Sequence, residues 1–294
     1  RVSEGGSSIR FVIGSYGAGK TFFLFLVRQI ALQSRLAVCQ ADLSPDRRIH
    51  ATNGQARSLY AELVRSLATR TAPEGGALRN ILESYIQKAN EVAFAKKIPI
   101  ETAIKDGLAD IREMVAGYDF ASVIAAYARG YEEGNGELQD SALRWLRGEY
   151  TTKTEARVDL GVRTILDDAS FYDGLRLLAK FVRIAGFGGL LVCLDELVNL
   201  YKLQNSQARK QNYEQILRIL NDVLQGTTEG IGFILGGTPE FLLDTRRGLY
   251  SYEALQSRLA ENSFASSNLA DYTGPVIRLP SLTQEEMYHL LERL

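Results

Sequence analysis

Cysteine and histidine are both scarce in this chain. Two of each occur among 294 residues, Cys39, Cys193, His50 and His289. Their wide separation argues against a metal centre built from cysteine or histidine. Both cysteines lie in apolar, strand-like runs, where a thiol behaves as a small buried hydrophobe, and so few cysteines fit a reducing cytoplasm. An excess of charge is also lacking: Lys and Arg number 34 against 35 Asp and Glu, a formal net charge of -1. No global positive field draws the chain to nucleic acid or to an anionic membrane, and any such contact needs a local basic patch. No run reaches the ~18 uninterrupted apolar residues of a membrane span, and the N-terminus has no signal-peptide pattern, so the protein reads as cytoplasmic with no membrane partner. The chain begins at Arg1 without methionine and stops at Leu294 inside a helical pattern, as a fragment of a longer protein would.

What is present is an ordinary soluble composition, 46% hydrophobic and 23% charged, with material for a sizeable core in one large domain or two ordinary ones. Within it stands Gly14-Ser15-Tyr16-Gly17-Ala18-Gly19-Lys20-Thr21, the phosphate-binding pattern G-x-x-x-x-G-K-T. A glycine-rich turn with an incidental lysine would look similar in isolation. Here an apolar strand, Ile9 to Ile13, precedes the loop, and an amphipathic helix opening at Gly19 follows it through Phe22, Phe23, Leu26, Val27 and Ile30. That context brings loop N–H groups and a helix N-terminus onto phosphates. Lys20 is predicted to reach the β- and γ-phosphates of a nucleoside triphosphate, and the Thr21 hydroxyl to hold Mg2+.

Downstream, Leu36 to Leu43 reads as a second strand, ending in Asp42 and the turn Ser44-Pro45-Asp46. Gly54 to Leu67 reads as a helix. From about Ala77 to Gly148 helical periodicity takes over, with apolar stripes Ile104, Leu108, Ile111, Val115 and Phe120, Val123, Ile124, Tyr127, Tyr131, then a helix carrying Leu138, Leu143, Trp145 and Leu146. Residues 77–150 are therefore expected to be an all-helical insertion between the second and third strands. A helix from about Leu160, broken near Asp168 to Asp173, leads to the apolar run Leu190 to Leu194. Later come a helix at about Ala208 to Leu224, a strand Ile231 to Leu235, a strand Pro275 to Leu279, and a capping box, Thr283-Gln284-Glu285-Glu286, opening a last helix. Alternating strands and helices imply an α/β fold with a doubly wound parallel sheet.

Asp195-Glu196 ends the Leu190 run as a Walker B pair: Asp195 is placed to hold the Mg2+ shell, and Glu196 to orient and deprotonate an attacking water. No Asn-Lys-x-Asp guanine motif accompanies it. Thr238, after the next strand, has two open readings, contact with the γ-phosphate or lytic water, or membership of a plain turn Gly236-Gly237-Thr238-Pro239. Arg246, Arg247 and Arg258 are the candidates for an arginine that neutralises charge on the transferred phosphoryl group, with Arg258 first, and a solvated helix arginine is the competing reading. Asp42 and Asp46-Arg47-Arg48 read equally as an exposed turn. Oxidoreduction is a poor rival, because the loop is not G-x-G-x-x-G. Arg209, Lys210, Asn212 and Tyr213 form a basic and aromatic cluster that suits nucleic acid or a neighbouring subunit less well than a solvated helix face.

The order of these motifs resembles that of AAA+ ATPases of the origin-recognition and STAND-like type. Four segments, Ala41-Asp42-Leu43-Ser44-Pro45-Asp46-Arg47-Arg48, Trp145-Leu146-Arg147-Gly148-Glu149, Gly236-Gly237-Thr238-Pro239-Glu240-Phe241-Leu242 and Arg247-Gly248-Leu249-Tyr250-Ser251-Tyr252-Glu253-Ala254-Leu255, narrow the resemblance to the ATP-binding proteins of bacterial BREX phage-defence systems. The resemblance covers nearly the whole chain. It implies a P-loop NTPase core of AAA+ type with strand order 5-1-4-3-2, a requirement for ATP and Mg2+, and assembly into a homo-oligomer or with other defence-system proteins. It also implies a role against foreign DNA, with DNA contacted through a local patch or a missing C-terminal region. On this reading residues 1–76 and 151–281 are the two parts of the core, 77–150 the insertion, and 282–294 the start of a truncated lid.

Overall fold

The computed structural model describes residues 1–260 and 274–280, so the expected lid segment 282–294 and the helix opening at Thr283 lie outside the described residues. In chain order the elements are β1 (Ser8–Ile13), α1 (Lys20–Gln33), β2 (Ala37–Asp42), α2 (Gln55–Arg65), α3 (Leu78–Lys96), α4 (Ile100–Gly107), α5 (Ala109–Arg112), α6 (Gly117–Glu133) and α7 (Gly136–Leu146). They continue with α8 (Lys153–Leu160), α9 (Phe171–Ile184), β3 (Leu190–Asp195), α10 (Val198–Tyr201), α11 (Ser206–Gln225), β4 (Ile231–Gly237), α12 (Pro239–Leu243), α13 (Glu253–Leu259) and β5 (Val276–Arg278).

The five strands form one parallel sheet in the order β2-β3-β4-β1-β5, the expected 5-1-4-3-2 viewed from the other edge. Register runs from Ala37↔Leu190 to Asp42↔Asp195 between β2 and β3, and from Ser8↔Gly232 to Ile13↔Gly237 between β1 and β4. The carboxyl ends of β1, β3 and β4 therefore meet at one rim of the sheet, the place where open parallel sheets collect ligands. Every residue of β3 is buried. Leu190, Val192 and Leu194 enter the larger core, while Leu191 and Cys193 enter the smaller one, as a strand covered on both faces requires. The outer edge of β2 is closed by a two-way backbone bridge between Val38 and Ala68 (2.9 and 2.8 Å), and by the Ser66 hydroxyl, which accepts from Gln40 N and donates to Gln40 O.

The two faces of the sheet are covered unequally. On one, α1 alone among the described helices supplies buried side chains, Leu24, Ala31 and Leu32. The apolar row foreseen for this helix is split: Phe23 and Val27 pack against that core, but Phe22 and Ile30 are each 62% exposed, and Leu26 and Phe25 are exposed beside them. Apolar residues surround most of this helix, so periodicity alone does not choose the row that meets the sheet.

The opposite face carries the larger core. The chain from β2 to β3 is helical apart from its loops and two isolated bridges, and its helices pack on one another and on α9, with Tyr85–Phe181, Phe120–Trp145 and Phe120–Phe181 ring centroids 5.4, 6.1 and 6.3 Å apart. Three expectations are corrected here. Val115 is 70% exposed: the stripe Ile104, Leu108, Ile111 is buried, but the helix ends at Arg112 and the chain turns at Ala116, whose φ is 58°. Tyr131 is likewise half-exposed at the end of α6. The helix placed from Leu160 instead ends there, at a left-handed Gly161. Residues 161–170 are held open by tertiary bonds: Asp119 accepts from Arg163 N and Thr164 N (3.0 and 2.8 Å), and the Trp145 indole N–H donates to Thr164 O (2.8 Å). Asp168 then accepts from Gly54 N and Arg57 N (2.6 and 2.8 Å), capping α2 from 114 residues away in sequence.

Candidate functional site

The loop from Gly14 to Gly19 leaves β1 at the rim and enters α1. Gly14 N donates to Gly237 O (3.1 Å), which ties the loop to β4, and Ala18 N donates to Ser15 O (3.1 Å), which curls it back. Gly17 and Gly19 both have φ of 82°, and a Cβ at either position would meet open space, so it is the left-handed backbone that calls for glycine there. No side chain caps α1 and no acidic residue of its own sits in its first turn, so its amide dipole end faces the loop. Lys20 Nζ donates to the carbonyls of Gly14 and Ser15 (both 3.0 Å) and so lies along the inside of the loop. Tyr16, at the loop tip, is 98% exposed.

β3 brings the acidic pair to the same rim. Asp195 is buried; its Oδ2 accepts from the Thr21 hydroxyl (3.1 Å) and its Oδ1 from Glu196 N (2.8 Å). A hydroxyl and a carboxylate oxygen side by side are hard oxygen donors, a set that fits Mg2+ when phosphate oxygens and water complete its shell. Glu196 is exposed and has a left-handed φ of 57°, uncommon for a residue with a long side chain. Two bonds hold that turn, Leu197 N to Gly236 O (3.0 Å) and Asn199 N to Glu196 O (2.9 Å). Asp42 lies opposite Asp195 in the sheet, and its carboxyl is pushed above the ordinary range, first by partial burial and then by the negative charge of Asp195.

The whole chain, residues 1–294, matches the family described as BREX system ATP-binding protein BrxC/D. The chain belongs to this family. No curated protein matches it significantly. The family is one of ATP-binding proteins, and the described geometry brings Gly14 to Thr21, Asp195 and Glu196 together at one rim of the sheet.

The other foreseen residues stand apart. Thr238 caps α12, its Oγ1 accepting from Phe241 N (3.4 Å) with Pro239 in the first turn. Arg246 is exposed on the turn after α12. Arg247 donates to Tyr201 O and Leu203 O (both 3.3 Å), with its guanidinium 5.4 Å from the Tyr201 ring centroid. Arg258 is exposed and bonds Ala254 O of its own helix (2.9 Å). Among the described residues no hydrogen bond or ion pair joins these arginines to Lys20, Thr21, Asp195 or Glu196. The cluster Arg209, Lys210, Asn212, Tyr213 is divided by α11: Asn212 and Tyr213 are buried, Asn212 bonding both the N–H and the carbonyl of His50 (2.9 and 3.0 Å), while Lys210 pairs with Glu214 at 3.9 Å. Two contributors escaped the sequence reading. Asn199 donates from Nδ2 to Leu43 O (2.8 Å) and so braces the acidic turn against the exit of β2, for which the sequence offers no signal. Gly236 was foreseen only as turn material, although a glycine inside an apolar strand run signals a close approach.

Proposed function

We propose that this chain is an AAA+-type ATPase that binds ATP with Mg2+, hydrolyses it, and thereby powers or switches a DNA-associated anti-phage complex in the cytoplasm. The observation that carries the reading is the 3.1 Å bond from the Thr21 hydroxyl to buried Asp195, with Glu196 on the adjoining turn. In this reading the loop N–H groups and Lys20 hold the β- and γ-phosphates, while Thr21 and Asp195 hold the ion, whose charge offsets that of the phosphates. Glu196, exposed at the rim, orients a water and accepts its proton as the oxygen attacks the γ-phosphorus and the bond to ADP breaks. Thr238 remains a candidate contact for the γ-phosphate, and an arginine, Arg258 by preference, a candidate for charge neutralisation from within the chain or from a neighbouring copy.

The test is steady-state ATP turnover beside nucleotide binding. Glu196→Gln is expected to lower turnover by roughly 10²–10⁴-fold while binding persists, and Lys20→Ala to weaken binding itself. Unchanged turnover in both variants would sink the assignment. ATP at ~100 times its dissociation constant should stabilise the fold by about 2.7 kcal/mol, and no shift would contradict an intact pocket.

A second reading is a nucleotide-gated module that hydrolyses slowly and docks a defence-system partner through the helices of residues 77–150. It is favoured by the arginines, none of which is bonded to the described site. Tight ATP binding with negligible turnover in the full-length protein, with and without DNA, would select it. Direct DNA binding is a third outcome of that assay, recognised by steep salt dependence.

A further inference from the structure

We propose that Gly236 is a positioning residue that sets both carboxylates at the end of β3. The inference rests on the reading that Asp195 and Glu196 serve a metal-bound nucleotide. Gly236 lies on β4 one residue beyond the pair Leu194↔Leu235, directly beside Asp195. Its φ is not in the left-handed region, so its backbone conformation is open to any residue. Space, not conformation, demands glycine here. A Cβ at Gly236 would overlap Asp195 Oδ1 and lie 3.1 Å from Asp195 Cγ and 3.5 Å from its Cα. The displaced oxygen is the one that accepts from Glu196 N, and the other oxygen of the same carboxylate faces Thr21. An added methyl therefore cannot be absorbed without turning the carboxylate off the Thr21 hydroxyl, off the Glu196 amide, or off both.

The same residue also reaches Glu196 through its backbone. The Gly236 carbonyl accepts from Leu197 N (3.0 Å), one of two bonds that keep Glu196 in its left-handed turn. The absent side chain of Gly236 thus makes room for the metal-side carboxylate, and its carbonyl anchors the turn that presents the water-side carboxylate. Gly237 supplies the internal comparison. It too lacks a left-handed φ, but a Cβ there would meet Phe241 Cδ1 at 2.7 Å and Ile13 Cδ1 at 3.4 Å, touching neither carboxylate.

The experiment compares the full chain with Gly236→Ala, Gly237→Ala, Asp195→Ala and the double variant Asp195→Ala/Gly236→Ala. Binding of a fluorescent ATP analogue is measured with and without Mg2+, beside the midpoint of thermal unfolding. Wild type is expected to gain about tenfold or more in affinity from Mg2+. Gly236→Ala should lose that gain while keeping metal-free binding, and Gly237→Ala should keep the gain even where its unfolding midpoint falls. Gly236→Ala should lower the midpoint in the wild-type background and leave it nearly unchanged once Asp195 is alanine. Additive midpoints, or a Mg2+ gain that survives Gly236→Ala, overturn the positioning role. A wild type without any Mg2+ gain overturns the metal-site reading instead, and the midpoints still decide the geometry. If Gly236→Ala alone fails to fold, a folded double variant supports the clash with Asp195 and an unfolded one refutes it.

Discussion

Asp119 offers a sharp quantitative test of how α6 is joined to the segment that follows α8. All three of its hydrogen bonds fall on one oxygen: Oδ2 accepts from Arg163 N, Thr164 N and the Thr164 hydroxyl at 3.0, 2.8 and 2.7 Å, and the residue is 7% exposed. Hydrogen bonds to a charged acceptor contribute about 1.5–3 kcal/mol each, and a buried donor left without a partner costs about 1–3 kcal/mol. These figures do not add, because Asp119→Ala leaves a space that water can enter beside the hydroxyl. A net loss of about 3–4 kcal/mol, below the full sum, is expected. Asp119→Asn keeps one carbonyl oxygen, which can occupy the Oδ2 position with all three donors in reach, but loses the charge and puts an NH2 in place of Oδ1; about 1–2 kcal/mol follows. Trp145 is the only tryptophan in the chain, and its indole N–H bonds the carbonyl of the same Thr164. Urea unfolding followed by tryptophan emission therefore reads this joint directly, with far-ultraviolet circular dichroism reporting the whole chain. Alanine and asparagine variants of equal stability, or a loss below about 1 kcal/mol for alanine, would refute the reasoning.

Other perturbations have outcomes as definite. Asp168→Ala removes the acceptor for Gly54 N and Arg57 N, and should cost about 1–2 kcal/mol, seen as early loss of amide protection in the first turn of α2; protection equal to wild type would show that another group caps the helix. The Cys39 and Cys193 thiols are fully buried, and burial raises both above the ordinary thiol range, Cys193 to about 12. A thiol reagent at pH 8 should therefore label them only as fast as the protein opens, and rapid labelling of folded protein would contradict their burial. Because the folded thiols titrate higher than unfolded ones, their contribution to stability is complete below an unfolded pKa of about 8.5 and falls away above it. Thermal midpoints measured from pH 7 to 10 should decline at the alkaline end, more so than in a variant with both cysteines replaced by alanine; parallel declines would refute the linkage. Thr238→Val removes the cap of α12 and should cost about 1 kcal/mol, whereas Thr238→Ser should restore stability. ATP turnover that falls in the valine variant and returns with serine would add a role at the phosphate, and turnover unchanged in both would leave Thr238 a cap only.

The sheet was largely legible because each strand carries its own local signal: an apolar run, a turn-forming exit and, for β1 and β3, a chemical motif at the carboxyl end. Gly14 to Thr21 and Asp195-Glu196 stand out as motifs for the same reason, whereas the approach of Thr21 to Asp195 comes from the sheet order, which no local spacing contains. What escaped depended on partners remote in sequence. Nothing near Leu160 announces that Asp119 and Trp145 hold residues 161–170 away from helical geometry. Nothing near Arg209 shows that Asn212 turns inward to the backbone of His50. The outward row of α1 escaped for another reason, because Phe22, Leu26 and Ile30 are as apolar as the residues that meet the sheet. Gly236 could have been noticed, yet the oxygen that needs its space belongs to a different strand.

The rung joining β2 to β3 also constrains the order of folding. Ala37 and Leu190 are sheet neighbours separated in sequence by the eight helices α2 to α9. Closing a flexible loop of roughly 150 residues would cost about 4 kcal/mol in chain entropy before any sheet bond compensates it. Helices that collapse first shorten the effective loop, and contacts of long sequence separation form slowly. The edge strand should therefore dock late, onto a helical body that is already assembled. In pulse-labelled exchange, the amides of Ala37–Asp42 are expected to gain protection after those of α6 and α9; protection in the reverse order would rule this sequence of events out. A protein interrupted between these two strands by so much chain is expected to complete its rim from the centre of the sheet outwards, with the acidic pair of β3 meeting its neighbour on β2 only near the end.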